Sequence, residues 1–416
     1  MLLKNIKINS LYLEQAFSSL FSFLITIIVL RLFGIEIFGI FSFLWIIYLF
    51  LYSIQLSIII YPMNSDLFKN NTNNIKYYYS NALILQVIFL VFVSIFFYIT
   101  LSLFGNFFQN FDLRIYSISF PIFIFCAQLF HFFRRKLILN NFYLKSLFTH
   151  IIMFFSLLIF VFFLHKKNSL NLNYFFYCFS LSFLIGLLIN LKMILPFKFS
   201  SGRFYKYIYF NWISSKWLLL SSLTQWLGGN LWLINSGVLM GAKMLGILRA
   251  CLTILNISAI LFQSIESFVP KKLSIILRTN KIHLMDLFLK KFINRFFLIT
   301  MIITLFIVFT SKYLLKIFYG EEMSVFYYIL IFLSIMLPIN FLRLPLELGL
   351  RALKNTKPIF YANLSASIIA IIFSNIIIIN FNITGMIAGL IFNQIIIFLI
   401  IRYYYRLNIH KRRARK

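Results

Sequence analysis

About twelve separate apolar stretches run along this chain, each near the ~20 residues a helix needs to cross a bilayer. They fall near 10–32, 38–61, 80–104, 116–134, 147–164, 174–195, 213–236, 244–269, 293–311, 325–350, 359–380 and 384–404. The loops between them are short, and none is large enough to fold alone. In lipid every backbone N–H and C=O must be satisfied internally, and a continuous helix does this within its own segment. Of the 416 residues 62% are hydrophobic and only 12% charged, with a mean hydropathy of +0.94, so a soluble surface is excluded. An all-α integral membrane protein follows. Lys4 and Lys7 precede the first apolar run as they would in a secretory signal. That run is too long for a signal core and has no small-x-small cleavage site, so it reads as a retained first helix.

Charge sets the orientation. With the N-terminus inside, the inner loops receive KNNTNNIK, RRKLILNNFYLK, KFSSGRFYK, KKLSIILRTNKIHLMDLFLKK and RALKNTK, and the tail RYYYRLNIHKRRARK is inside as well. About 27 Lys and Arg lie on that side and about 7 on the other, a positive-inside bias that makes both termini cytoplasmic. The net charge of +30 is thus mostly a topology signal. The basic tail at 406–416 reads as contact with anionic membrane lipids, not with nucleic acid.

Against this apolar background, charges inside the spans stand out. MGAKMLGILRACLTILNISAILFQSIESFVPKKL carries Arg249 and Glu266, although a charge near the bilayer centre costs about 2.5–3.5 kcal/mol even on lenient insertion scales. On a wheel of 100° per residue, Arg249, Thr253, Asn256, Gln263 and Ser267 share one line, and such a stripe must face protein or water. Two readings fit Arg249: a structural arginine bonded to helix-end carbonyls, or a cation lining a central cavity. Glu266 reads as an interfacial partner of Lys271 and Lys272. The seventh span adds Lys216, Ser221, Thr224, Gln225 and Asn230. The tenth adds Asn340, Arg343 and Glu347 between Pro338 and Pro345, with Arg343 and Glu347 spaced to neutralise one another. Glu14 is the one acid of the first span, a candidate for coupling to protons or sodium or a partner of the helix dipole. Arg134 and Lys192 sit at cytoplasmic ends and are expected to snorkel. The deepest cations, Arg249, Lys216 and Arg343, outnumber acids, which suits an anionic ligand.

Catalytic signatures are missing. The chain has no phosphate-binding glycine loop with its lysine, no HExxH, and five histidines (His131, His150, His165, His283, His410) that read as interfacial and unpaired with carboxylates. Cys126, Cys178 and Cys251 sit in apolar runs without paired spacing, so neither a disulfide framework nor a thiolate metal site is expected. No cofactor or metal is called for. An internal repeat is visible instead: LFGIEIFGIF after the first span and LMGAKMLGIL between the seventh and eighth share G-x4-G-I, as Gly34/Gly39 and Gly241/Gly246, about half the chain apart. Six helices per half give a parallel repeat about an axis along the membrane normal.

These motifs carry a resemblance. RLFGIEIFGIFSF resembles a signature of polysaccharide flippases of the O-antigen type, in the multidrug/oligosaccharidyl-lipid/polysaccharide exporter superfamily. The stretch from Gly241 to Pro270 is similar to that family's segment at Gly241, Gly246, Arg249, Ala250, Asn256 and Pro270, and LELGLRALKNTKP resembles its stretch after the tenth helix. Ile35 stands in place of the family's proline, and Cys251 in place of its usual polar residue. The resemblance implies two six-helix lobes around a central cavity, an N-lobe at 1–200 and a C-lobe at 201–405, followed by the tail. It implies a non-enzymatic flippase of the bacterial cytoplasmic (inner) membrane, acting by alternating access in surface-polysaccharide or lipopolysaccharide biosynthesis. Its cargo would be an oligosaccharide on undecaprenyl diphosphate, with a polysaccharide polymerase as a partner. Arg249, Lys216, Arg343, Thr253, Asn256, Gln263 and Gln225 would then line the path of that lipid-linked oligosaccharide, a guanidinium fork binding phosphate oxygens bidentately. The alternatives are a multidrug exporter or peptidoglycan-precursor flippase of the same superfamily and, less well matched, a membrane polymerase or ligase, which needs a longer outer loop than any here.

Overall fold

The computed structural model describes residues 2–66, 75–105, 111–190, 201–278 and 282–413. It is all helical, with no strand among the described residues and twelve helices of seven residues or more. These are α1 (Leu2–Gln55), α2 (Ile75–Phe104), α3 (Ser119–Leu139), α4 (Tyr143–Lys166), α5 (Leu172–Leu188), α6 (Ser201–Met240), α7 (Ala242–Leu255), α8 (Ala259–Arg278), α9 (Ile282–Tyr319), α10 (Tyr327–Ser334), α11 (Met336–Ala352) and α12 (Lys357–Arg413). The twelve expected spans map onto them, but not one to one. α1 holds two spans joined at Gly34, and α12 holds two joined at Asn382. Conversely, α7 with α8 make one span and α10 with α11 another. Six of the continuous stretches are long and apolar enough to cross a membrane by length and composition alone. The remaining expected spans fall on α3, α5, α6 and the pair α7–α8, which are shorter, more polar or interrupted. The chain is a multi-pass membrane protein.

Contacts divide the chain into two compact units. One comprises Met1–Ile25 and Ile40–Leu223. Its core is aromatic, as a chain with 55 phenylalanines allows: Phe179 stacks on Phe183 along α5 at 4.9 Å, Phe123 of α3 meets Phe179 at 5.1 Å in a tilted pair, and Phe130 of α3 lies 5.3 Å from Phe183. Offset and edge-on ring pairs add about 0.5–1.5 kcal/mol each beyond their buried area. That specificity matters where lipid tails are as apolar as the core.

The other unit comprises Thr26–Gly39 and Thr224–Lys416. Leu273, Met285, Leu289, Leu348, Ile401 and Tyr405 form its apolar centre. Polar cross-links join the end of α6 to α12: Ser367 donates to the Thr224 carbonyl, Asn393 to the Gly228 carbonyl, and Asn235 to Ser374 Oγ at 2.6 Å. Such bonds associate helices when burial alone cannot. At the bend of α1, Arg31 donates to the carbonyls of Ile317 and Phe318, near the end of α9. These are groups that a helix terminus leaves without intrahelical donors.

The repeated glycines meet within this unit. Gly34 (φ 79°, ψ 175°) and Gly241 (φ 94°, ψ 165°) adopt nearly the same left-handed conformation at corresponding helix junctions, where a Cβ would be strained. Five residues on, Gly39 packs directly on the backbone of Ala242, and Gly246 on the backbone of Ile35 and Gly39. Both pairings follow one offset of 207 residues, since Gly34 corresponds to Gly241 and Gly39 to Gly246. Residue 39 therefore touches 242 as 246 touches 35. This is the reciprocity of an isologous contact, built here inside a single chain.

Candidate substrate-binding sites

Arg249 lies on α7, half-buried, two turns after the Gly241 junction. No carboxylate among the described residues pairs with it; the ion pairs present there are Arg134–Glu14, Lys290–Asp286, Lys316–Glu321, and Glu347 with Arg343 and Arg351. Its ionisable neighbour is Tyr319, which as a neutral phenol supplies no counter-charge. That hydroxyl is itself held near the Ala250 carbonyl at 3.4 Å. The role of bonding helix-end carbonyls is filled in this unit by Arg31. Thr253, one turn on, is buried and spends its hydroxyl on the Arg249 carbonyl at 2.8 Å.

The straight helix expected to carry the polar stripe is interrupted at Asn256, and the side chains of Gln263 and Ser267 beyond it lie outside the described residues. Residues 256–258 wind as a 3₁₀ turn between α7 and α8. Three residues at 120° instead of 100° turn the downstream helix by about 60° relative to the wheel. Asn256 lines a cleft of about 220 Å³ that it shares with Glu266 of α8 and with Asn340 and Arg343 of α11. The structure thus brings two of the sequence-derived candidates, Asn256 and Arg343, together with two residues given other roles or none. The side chain of Gln263 lies outside the described residues, as does all of Lys192. Gln225, on the part of α6 that belongs to the same unit, is exposed and does not line the cleft. Lys216 belongs to the other unit and is exposed on α6.

Around Arg343 the charges are shared out differently from the i,i+4 expectation. Glu347 is engaged most closely by Arg351, at 2.5 Å, while Arg343 Nε stands 4.0 Å from it. One Arg343 amino group donates to Gln394 of α12 at 2.8 Å, and its Nε has no hydrogen-bond acceptor. Asn340 Oδ1 is buried and likewise unbonded. Glu266 makes no ion pair among the described residues and acts on Arg343 from the opposite wall. Arg351 enters the sequence reading as a charge of the inner loop RALKNTK, and Gln394 carries no sequence signal.

The first unit has its own buried polar group. Glu14 is fully buried on α1 and accepts from Arg134 of α3 at 2.5 Å and from Ser146 of α4 at 3.1 Å. Its second oxygen is unbonded. Arg134 does not snorkel; its side chain is 10% exposed because the carboxylate holds it inside. His150 is buried among Phe17, Phe21 and Phe130, and His131 sits 4.9 Å from Tyr52, so neither is a headgroup-facing histidine. In the same unit Gln55 donates to Gln86 at 3.0 Å and to the Gln128 carbonyl at 2.9 Å. Polar side chains buried in a membrane protein at this density mark a pathway or a switch by default.

No protein-family model and no curated relative matches the sequence. Solved structures do match the fold. The chain is similar to a multidrug resistance MATE family transporter of the MOP superfamily in its inward-facing conformation, with a TM-score of 0.77 over 95% of both chains at 10% identity. It is similar to the lipid II flippase MurJ in an inward closed conformation, with a TM-score of 0.73, 18% identity, and 95% of this chain and 87% of that one covered. A mutant of the Vibrio cholerae MATE transporter VcmN matches with a TM-score of 0.65, 14% identity, and coverage of 98% and 96%.

Proposed function

We propose that the fold these transporters share serves here as a flippase. Its cargo is an oligosaccharide on undecaprenyl diphosphate, of the kind that builds O-antigen or another surface polysaccharide, and it moves from the inner to the outer leaflet of a bacterial cytoplasmic membrane by alternating access. The observation that carries the reading is Arg249: a guanidinium on a membrane helix with no carboxylate partner among the described residues. A cation left in that state is costly unless its counter-charge arrives with a ligand. A diphosphate supplies it, and the planar fork fits phosphate oxygens bidentately. Glu14, buried against Arg134, is the proposed coupling group, since loss of its charge would release the arginine. Both termini face the cytoplasm in this reading, and a polymerase takes up the product outside.

The test is a lipid-linked glycan accumulation assay normalised to membrane-inserted protein. Arg249→Ala should insert normally, stop export and accumulate the glycan inside, with Arg249→Lys restoring only part. Normal export by well-expressed Arg249→Ala protein would end this assignment. A second reading, a multidrug exporter, is favoured by the similarity to the MATE transporter; it forecasts dye efflux by the wild type and no accumulated glycan in the variant.

A further inference from the structure

The polar cleft does not stand alone. A second hollow of about 210 Å³ adjoins it within the same unit, and the two share Ser258, Phe262 and Leu337 as a common wall. Their linings are opposite in kind. The second is walled by Phe262, Phe268, Phe292, Phe296 and Phe341, contributed by α8, α9 and α11. Phe292 and Phe341 form its buried floor, while Phe268 and Phe296 are 49% and 38% exposed and form an open rim. An apolar groove thus adjoins a cleft lined by Arg343 and Asn340, on which two buried polar atoms, Arg343 Nε and Asn340 Oδ1, have no hydrogen-bond partner.

We infer that this groove and cleft together form a binding site for a single-chain amphiphile, its apolar chain along the phenylalanines and an uncharged, hydroxyl-rich head in the cleft. The choice of head follows from charge. Arg343 and Glu266 line the same cleft, so the site as a whole offers no excess positive charge, and a phosphate head brought to Arg343 would meet the Glu266 carboxylate. Sugar hydroxyls suit such a pair because each is both donor and acceptor: they accept from the guanidinium and donate to the carboxylate and to Asn340 Oδ1. The chain end follows from the rim. Exposed aromatic side chains bordering a concave surface give an apolar chain contacts on more than one side, which a flat lipid-facing helix does not. A glycolipid has both parts in this order. The site's role in transport rests on the flippase reading, whereas binding itself does not.

The experiment uses the full chain in phosphatidylcholine nanodiscs and a dodecyl maltoside carrying a diazirine at the chain end. Photolabelling mapped by mass spectrometry should fall on peptides containing Phe268 and Phe296. A large excess of unlabelled dodecyl maltoside should reduce it about tenfold, and dodecane or dodecyl phosphate should not. Glu266→Gln, at an exposed position, should lower labelling several-fold. Ile299→Trp, also exposed and on the groove wall, should block it by filling the groove. Competition by dodecane as strong as by the maltoside would reduce the groove to ordinary lipid contact, and preference for dodecyl phosphate would make it an anionic-lipid site; either outcome overturns the proposal. So does the absence of labelling at these peptides. Because no transport is measured, a failure here leaves the Arg249 export result standing, and a failure there leaves this one.

Discussion

Replacing Gly246 by alanine tests whether the two repeats are locked together through their backbones. A Cβ at Gly246 would lie 2.5 Å from the Ile35 carbonyl oxygen and 3.1 Å from the Gly39 nitrogen. An ordinary carbon–oxygen contact needs about 3.3 Å, so the helices must part by about 0.8 Å at this point. Neither neighbour is a side chain that can change rotamer, which puts the cost near the upper end of overpacking, about 3 kcal/mol. Gain in helix propensity from glycine to alanine offsets about 1 kcal/mol of it. Gly229, in the interior of α6, is the matched control, because a Cβ there meets nothing within 4 Å and only the gain remains. The two variants should therefore differ by about 3 kcal/mol. For a cooperative unit of some 200 residues this separates their Tm values by about 6–12 °C. Thermal unfolding of each purified variant in the same detergent measures the gap. Equal Tm values for Gly246→Ala and Gly229→Ala would refute the backbone contact.

Other outcomes follow from the remaining features. Glu14→Gln should destabilise the protein by about 3–5 kcal/mol by leaving Arg134 buried without its counter-charge. The double variant Glu14→Gln/Arg134→Gln should regain most of that stability but not transport, if Glu14 is the coupling group; recovered transport in a flux assay would assign the pair a purely structural role. In a background without the three native cysteines, all buried, single cysteines at Ser169 and Glu322 should react with an impermeant thiol reagent added outside intact cells. Those at Asn140 and Thr356 should not, and labelling of that second pair would reverse the topology.

What the sequence made legible was governed by distance along the chain. Apolar length located all twelve spans, and glycine located the bends at Gly34 and Gly241, because both are local properties. The 3₁₀ turn at Asn256–Ser258 has neither glycine nor proline to announce it, and so the polar stripe was drawn straight through it. Glu14 and Arg134 are 120 residues apart, and a charge at a helix end looks the same from sequence whether it snorkels or is paired inward. The expected partner Lys271 of Glu266 has its side chain outside the described residues, and what sequence spacing does not show is that Glu266 lines one cleft with Arg343. Composition does not reveal the phenylalanine groove either, since a chain with 55 phenylalanines has them on eleven of the twelve helices, all but α7.

The division of α1 between the two units also imposes a schedule on synthesis. Residues 26–39 belong with 224–416, yet residues 40–223 must be made and inserted in between. At about 5–20 residues per second, Gly39 waits roughly 10–40 s before Ala242 is available to cover it. During that interval the bend carries bare backbone and Arg31 has no Ile317 or Phe318 carbonyl to hold. A nascent chain paused before α7 is therefore a distinct species with an open, unfinished first bend.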